Sequence, residues 1–365
     1  LINQAERPVI LAGRGVLISD ACSELKQFAE KAQIPVATAH LGISSFPETH
    51  FLSLGKIGMH GTMYGNLAVN NSDLVIGIGT RFSDRTTGKA SSFCPMAKVI
   101  HIDIDPSEIG KNIVPDVPIV GDVKNVLQVL IEQMTPREHV EWLRQIEEWR
   151  QEHPSRQVRE SENLLPQYVI QQIYEITHGE AIVVTGVGQN QMWAAQHYFY
   201  SRPNSLISSG GLGTMGFELP AAIGAQIGCP DKVVWSVAGD GGFQMTLHEL
   251  ATVTQERIPL KIAIINNGYL GMVRQWQEMF YGRRYVATPL SGPDFVKIAD
   301  AYGIAALRVK QKDEVVPALQ KAMNTAGPFL IDFMVEPEEN VFPMIPPGAS
   351  ISQTMELPRE QKTRL

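Results

Sequence analysis

The sequence predicts an α/β protein made of two doubly wound parallel-sheet domains. Three features carry that expectation: short strand patterns that are apolar throughout, helical patterns between them, and a densely charged stretch that interrupts the alternation. Strands without a polar face are buried on both sides, and intervening helices are what cover those sides.

The first set of strand patterns falls at 8–12, 34–38, 73–78, 98–104 and 118–120, with helical stretches at 19–33 and 62–71. The second set falls at 181–185, 205–207, 233–237, 261–265, 305–309 and 329–335, with helices at 218–228, 247–255, 293–301 and 314–324. Between them, residues 137–153 are rich in charge and place Trp142, Ile146 and Trp149 on one stripe. That is the pattern of a linker helix laying its tryptophan face on a neighbouring domain. The expected layout is a first domain over 1–134, a linker helix over 135–165, a second domain over 166–336, and a proline-rich tail or lid over 337–365. A length of 365 residues suits two domains better than one core.

Composition narrows the function. The chain is 44% hydrophobic and 19% charged, the balance of a soluble globular protein. Its formal charge of −7 supplies no basic face for nucleic acid. No run approaches the ~20 apolar residues of a membrane helix. Cys22, Cys94 and Cys229 are far apart, form no Cys-x-x-Cys pair, and read as reduced thiols of a cytosolic-type compartment. The opening Leu1-Ile2-Asn3-Gln4-Ala5 has neither initiator Met nor signal peptide, so the sequence reads as part of a longer protein.

The chemistry-bearing signal lies in the second half. The strand at 233–237 runs into Ala238-Gly239-Asp240-Gly241-Gly242-Phe243, and the strand at 261–265 into Asn266-Asn267-Gly268-Tyr269. Ligands of doubly wound sheets bind beyond the carboxyl ends of the strands. Glycines there let backbone N–H groups approach an anion closely, and Asp240 offers a hard oxygen for Mg²⁺ or Ca²⁺. Thr246 and Glu249 have capping-box spacing, which predicts a helix starting just past the loop. The 24 residues between Gly241 and Asn266 allow one helix and one returning strand, so Asp240 and Asn267 can share one ion. Either motif alone is an ordinary turn former; the pair at this spacing reads as a metal site.

Together the motifs resemble the signature of thiamine-diphosphate-dependent enzymes. Their neighbours resemble the acetohydroxyacid synthase catalytic-subunit family over essentially the whole chain: Val187-Gly188-Gln189-Asn190-Gln191-Met192-Trp193-Ala194-Ala195-Gln196, Gly210-Gly211-Leu212-Gly213-Thr214-Met215-Gly216 and Gly271-Met272-Val273-Arg274-Gln275-Trp276. The resemblance implies Mg²⁺ held by Asp240, Asn267 and the Tyr269 carbonyl, with Gly239, Gly241 and Gly242 around the diphosphate. It implies that Met215 supports the bent cofactor and that Val187, Gly188, Gln189, Gly213, Gly271 and Met272 contact it. Trp276 resembles the residue that recognises the second ketoacid. Without the resemblance, Met215 reads as core filling, and Trp276 could equally be a core aromatic.

The first domain resembles the family's FAD-binding segments. These are Gly13-Arg14-Gly15 after the first strand, the stretch with Ile57, Gly58, Met59 and His60, then Gly79-Thr80-Arg81, Asp103-Ile104 at the ribose side and Asp122-Val123 near the adenine. In the family this flavin is structural, and Arg85 resembles the arginine that meets flavin and second ketoacid. Ser83, His40 and Asn190 depart from the family pattern.

The implied activity is decarboxylation of pyruvate and its carboligation to a second 2-ketoacid, pyruvate or 2-ketobutyrate. The products, 2-acetolactate or 2-aceto-2-hydroxybutyrate, feed branched-chain amino-acid biosynthesis. The resemblance further implies a homodimer or homotetramer with the active site at the subunit interface and a small regulatory subunit. The implied compartment is the cytoplasm, or the plastid stroma of a plant-type source. The alternatives are a glyoxylate carboligase, a pyruvate oxidase, or a non-catalytic flavin-binding scaffold. In the family the carboxylate that activates the cofactor lies on a preceding N-terminal domain, so residues 1–365 alone are expected to form no acetolactate.

Overall fold

Continuously apolar segments become central strands, and the helices between them leave parallel pairing as the arrangement that buries both faces. A computed structural model describes residues 1–357, which divide into two units. Among the described residues, one holds 1–157, 199–204 and 342–357; the other holds 158–198 and 205–341.

The strands of the first unit are Pro8–Ala12 (β1), Val36–Thr38 (β2), Ser53–Lys56 (β3), Leu74–Ile78 (β4), Lys98–Asp103 (β5) and Val117–Val120 (β6). They pair in parallel in the order β3-β2-β1-β4-β5-β6. Leu25 and Phe28 of the helix Cys22–Ala32, with Leu127 and Ile131 of Val123–Gln133, pack against Ile10, Ile76 and Ile102. A second cluster joins Val9, Leu11 and Val75 to Trp142 and Ile146 of the helix Val140–Glu152. The Trp142 indole also donates to the Pro8 carbonyl at 3.1 Å, so the charged helix lies on the sheet that precedes it. Residues of the tail join this unit too, with Ile345 and Ile351 in the same cluster and Met344 bridging Met355. The end of the expected tail, 358–365, lies outside the described residues.

The second unit holds Ile182–Thr185 (β7), Leu206–Ser208 (β8), Val234–Gly239 (β9), Lys261–Asn266 (β10), Ala305–Val309 (β11) and Phe329–Met334 (β12). The order is β11-β12-β10-β9-β7-β8, again parallel. All strands expected from the sequence are present within two residues of their expected ends, and β3 is additional. β3 is a four-residue edge strand with Gly55 at φ 67 and a register shift against β2, so its pattern is too short and irregular to read. Among the described residues no helix is long and apolar enough to cross a membrane.

Each order contains one point where neighbouring strands lead the chain in opposite directions, β1 against β4 and β7 against β9. Carboxyl ends at such points leave a crevice for ligands. In the first unit the chain itself occupies much of it. Gly13 N–H donates to the Ile78 carbonyl at 2.9 Å and Gly15 N–H to the Gly79 carbonyl at 3.0 Å. A Cβ on Gly13 would lie 2.1 Å from the Gly79 oxygen. Strand-end packing therefore requires glycine here with or without a nucleotide. Gly13→Ala is expected to destabilise the first unit by about 1–3 kcal/mol through this overlap; a urea-unfolding midpoint equal to the parent's would refute the packing account.

Candidate active site

The site begins with strand register. Ile265 of β10 pairs with Gly239 of β9, so the residues that follow, Asp240 and Asn266-Asn267, leave the sheet side by side. A helix starts at Asp240 itself and runs to Thr246. The expected helix follows it, with Thr246 at the N-cap position of a 3-10 turn, Leu247–Glu249, that continues as Leu250–Gln255; only the capping bond is corrected, since the Thr246 hydroxyl donates to the Gly216 carbonyl at 2.9 Å instead.

Asp240 is 2% exposed. Burial, the largest cause, pushes its carboxyl up to about 7; backbone N–H groups of Asp240, Gly241 and Asn267 oppose that rise, and the charge of Asp332 adds to it. The cleft it faces is partly open to solvent and is lined by Gly239 of β9, Ile265 of β10 and residues that follow β7, β8, β9 and β10. Val187, Gly188, Gln189, Met215, Gly239, Gly241, Gly242, Asn267, Tyr269, Gly271 and Met272 all line it, so nearly the whole expected cofactor set converges. No lysine or arginine is among the lining residues. Nor does any group of three or more His, Cys, Asp or Glu among the described residues form a ready-made metal cage. The donor set is one carboxylate plus amide and main-chain oxygens, which suits a hard cation that takes its remaining oxygens from a ligand.

The two asparagines have separate supports. Asn266 donates to Asp332 at 2.9 Å, and Asp332 is held in turn by Arg308 at 2.8 Å. Asn267 donates through Nδ2 to Gln189 Oε1 at 3.0 Å, while its Oδ1 accepts from Tyr269 N–H at 3.1 Å. Met215 is half-buried, and its Cε comes within 3.7 Å of where a Gly241 Cβ would stand. Gly213 lies on an exposed loop beside Leu212, which is 95% exposed, and is not a lining residue. Trp276 is not one either: it stands on the helix Gly271–Phe280 with its ring edge-on to Phe280.

The flavin candidates all belong to the first unit and gather after the carboxyl ends of its strands. Arg14, Arg81 and Arg85 are exposed, Arg85 beside Asp84 at 3.5 Å. Ile57, Gly58 and His60 are buried, Met59 partly so, and His60 Nδ1 sits 3.2 Å from the Pro343 carbonyl. Burial, and after it the nearby Lys56, pushes His60 down to about 3. Asp103 accepts from Asp105 N–H at 3.0 Å, and Ile104 is exposed. Asp122 caps the helix Val123–Gln133 by accepting from Asn125 N–H, and Val123 is in the core. Of the departures, His40 is partly buried, Ser83 precedes the short helix Asp84–Thr87, and Asn190 donates to the Val237 carbonyl at 3.0 Å.

The chain belongs to the thiamine pyrophosphate enzyme family. A family model described as the thiamine pyrophosphate enzyme C-terminal TPP binding domain matches residues 186–333, and one described as the thiamine pyrophosphate enzyme central domain matches 1–130. Within the family it is similar to the acetolactate synthase of Mycobacterium bovis, at 47% identity over 96% of this chain and 59% of that protein. It is similar to acetolactate synthase 1, chloroplastic, of Nicotiana tabacum at 43% identity, over 97% and 55%. The probable acetolactate synthase large subunit of Methanocaldococcus jannaschii is 45% identical, over 98% and 62%. The chain spans about three fifths of the length of these curated relatives.

Two residues were not singled out by sequence reasoning. One is Gln275, 0% exposed on the helix Gly271–Phe280. Glu218 is 0% exposed at the start of the helix Glu218–Gly228, and neither carboxyl oxygen has a hydrogen-bond partner among the described residues. It fills the space where a Cβ of Gly186 or Gly242 would stand, 2.6 and 2.9 Å from its oxygens. A carboxylate in an apolar helix pattern was the available signal. Burial pushes Glu218 up to about 7, and the nearby N–H groups of Glu218 and Gly216, which do not reach full hydrogen-bond geometry, offset only part of that rise. Since the native state then holds a proton that the unfolded chain releases, stability is lost as pH rises from about 4.5 through about 7. Glu218→Gln removes that loss. Its stability gain over the parent is expected near zero at acid pH and to reach about 3 kcal/mol above neutrality. Urea unfolding across this range checks it; a pH-independent difference would reject a titrating Glu218.

Proposed function

We propose that this chain is the flavin-binding and thiamine-diphosphate-binding part of an acetolactate synthase catalytic subunit, which joins two 2-ketoacids with loss of CO2. The carrying observation is a buried Asp240 carboxylate beside the Asn267 amide, in a cleft whose lining has no lysine or arginine. A diphosphate entering it needs a cation to offset its charge. Asp240, Asn267 and the Tyr269 carbonyl would hold Mg²⁺, completed by diphosphate oxygens.

Thiamine diphosphate, when bound, supplies through C2 of its thiazolium ring the electron sink that decarboxylation of a ketoacid requires. The remaining work falls to the protein. N–H groups around Gly188, Gly241 and Gly242 receive the diphosphate. Met215 gives the bent cofactor an apolar support, Gln189, Val187, Gly213, Gly271 and Met272 line its path, and water is excluded by the apolar walls. Trp276 recognises the side chain of the second ketoacid, pyruvate or 2-ketobutyrate, a hydrophobic choice worth roughly 1–3 kcal/mol. Arg85, in the first unit, is the arginine that the family resemblance assigns to flavin and second ketoacid.

The first unit would carry FAD. The exposed guanidinium groups of Arg14 and Arg81 suit its pyrophosphate, with Asp103 and Ile104 toward the ribose and Asp122 and Val123 toward the adenine. Gly13, Gly15, Ile57, Gly58, Met59, His60 and Gly79 border the same strand ends. The full-length protein would act as a homodimer or homotetramer with a small regulatory subunit, in the cytoplasm or the plastid stroma.

The test is product analysis of the full-length protein with pyruvate, thiamine diphosphate, Mg²⁺ and FAD. 2-Acetolactate is the expected product; acetate or acetyl phosphate with O2 uptake would assign a pyruvate oxidase instead. Asp240→Ala is expected to remove Mg²⁺-dependent thiamine-diphosphate binding while leaving far-ultraviolet circular dichroism unchanged, because the carboxylate stands beyond the strand. Calorimetric titration giving the parent's affinity would reject Asp240 as the ligand.

A further inference from the structure

Resting on the reading of Asp240 and Asn267 as metal ligands, we propose that Gln275 is a positioning residue. It fixes which atom of the Asn267 amide faces the cation, through a relay of three primary amides anchored on the backbone of Val341.

The relay can be followed atom by atom. Val341 N–H donates to Gln275 Oε1 at 2.9 Å, and Gln275 Nε2 donates to the Val341 carbonyl at 3.1 Å. This two-point contact admits one amide orientation, since reversal would set N–H against N–H and oxygen against oxygen. Gln275 Oε1 also accepts from Gln189 Nε2 at 2.9 Å, and the same Nε2 donates to the Glu339 carbonyl at 2.9 Å. Both protons of that amide are thereby used, so Gln189 presents its oxygen at the other end. That oxygen accepts from Asn267 Nδ2 at 3.0 Å, which turns Asn267 Oδ1 to the opposite side, with Tyr269 N–H at 3.1 Å. An oxygen so turned is a ligand for a hard cation; an NH2 group there would repel it.

Three further observations fit this role. Gln275 is 0% exposed and Gln189 3% exposed, so water offers neither amide an alternative partner and a reversed amide would be costly. A Cβ on Gly271 would lie 2.1 Å from Gln189 Oε1 and 2.5 Å from Asn267 Nδ2, so glycine at 271 is what lets the two amides meet. The anchor is itself pinned: Arg274, buried on the same helix, donates to the Glu339 carbonyl at 3.1 Å and to Asn340 Oδ1 at 2.6 Å.

The experiment uses the full-length protein and Mn²⁺ as a spectroscopic substitute for Mg²⁺. Free Mn²⁺ is followed by electron paramagnetic resonance with thiamine diphosphate in excess. Gln275→Leu ends the relay and is expected to raise the Mn²⁺ Kd by roughly 10–100-fold, the usual effect of losing a partner behind a metal ligand. Gln275→Glu in its neutral form reproduces both the donor and the acceptor, and is expected to keep Kd within about threefold of the parent. Turnover at saturating Mn²⁺ should recover in the Leu variant. If that variant does not fold, Gln275→Asn, which keeps an amide too short to span Val341 and Gln189, takes its place with the same expected Kd. A parent that binds Mn²⁺ and a Leu or Asn variant with unchanged Kd overturn the relay alone, whatever happens to the melting temperature. A parent that binds no Mn²⁺ with thiamine diphosphate overturns the metal-site reading as well.

Discussion

Burial of one carboxylate without a cationic side chain organises the second unit. Asp240 leaves a fully buried strand into a cleft lined by backbone, amides and apolar groups, and the absence of water lifts its carboxyl to about 7. Such a group is costly as an anion until a cation meets it. The surroundings are arranged around that demand: β10 delivers Asn267 alongside, glycines at 239, 241 and 242 keep side chains out, and Asp332 is matched by Arg308. In the first unit the exposed arginines at the strand ends offer positive charge directly. Both sheets are parallel throughout, but their strand orders differ.

Most of the fold was legible because its strands are apolar at most positions, and that pattern needs no tertiary information. β3 was not, since four residues including a left-handed glycine carry no periodicity. The metal candidates were legible for a different reason: a strand, a short polar turn, and a return long enough for one helix fix adjacency by chain geometry alone. The helix after Thr246 was legible from its spacing, whereas the preceding helix Asp240–Thr246 was hidden in the glycine loop and the capping bond itself does not form. The spacing rule cannot see that the Thr246 hydroxyl is committed to Gly216.

What the sequence hid were roles that exist only across long separations. Glu218 sits in an apolar helix pattern, and only the structure shows its carboxyl occupying the Cβ space of Gly186 and Gly242. The glycines of the first unit show the converse. Gly13 and Gly15 look like a nucleotide loop in sequence, yet the backbone of Gly79 alone is enough to demand them. A glycine-rich turn at a switch point thus reports close approach, and what approaches has to be read from the structure.

The anchor at Val341 also bears on where the cofactor domain ends. The matching family domain stops at residue 333, close to the end of β12, and the sheet is complete there. The orientation of the Asn267 amide is set by carbonyl and N–H groups at 339 and 341, past that boundary. The intervening residues 335–338 contribute no strand, so by the ordinary reckoning of loops an insertion or deletion among them should be tolerated. Here a single added or lost residue would shift the backbone that Gln275 grips and carry the error inward to the metal-facing oxygen. This stretch is therefore constrained in length, whatever side chains its exposed positions Pro337 and Glu338 carry.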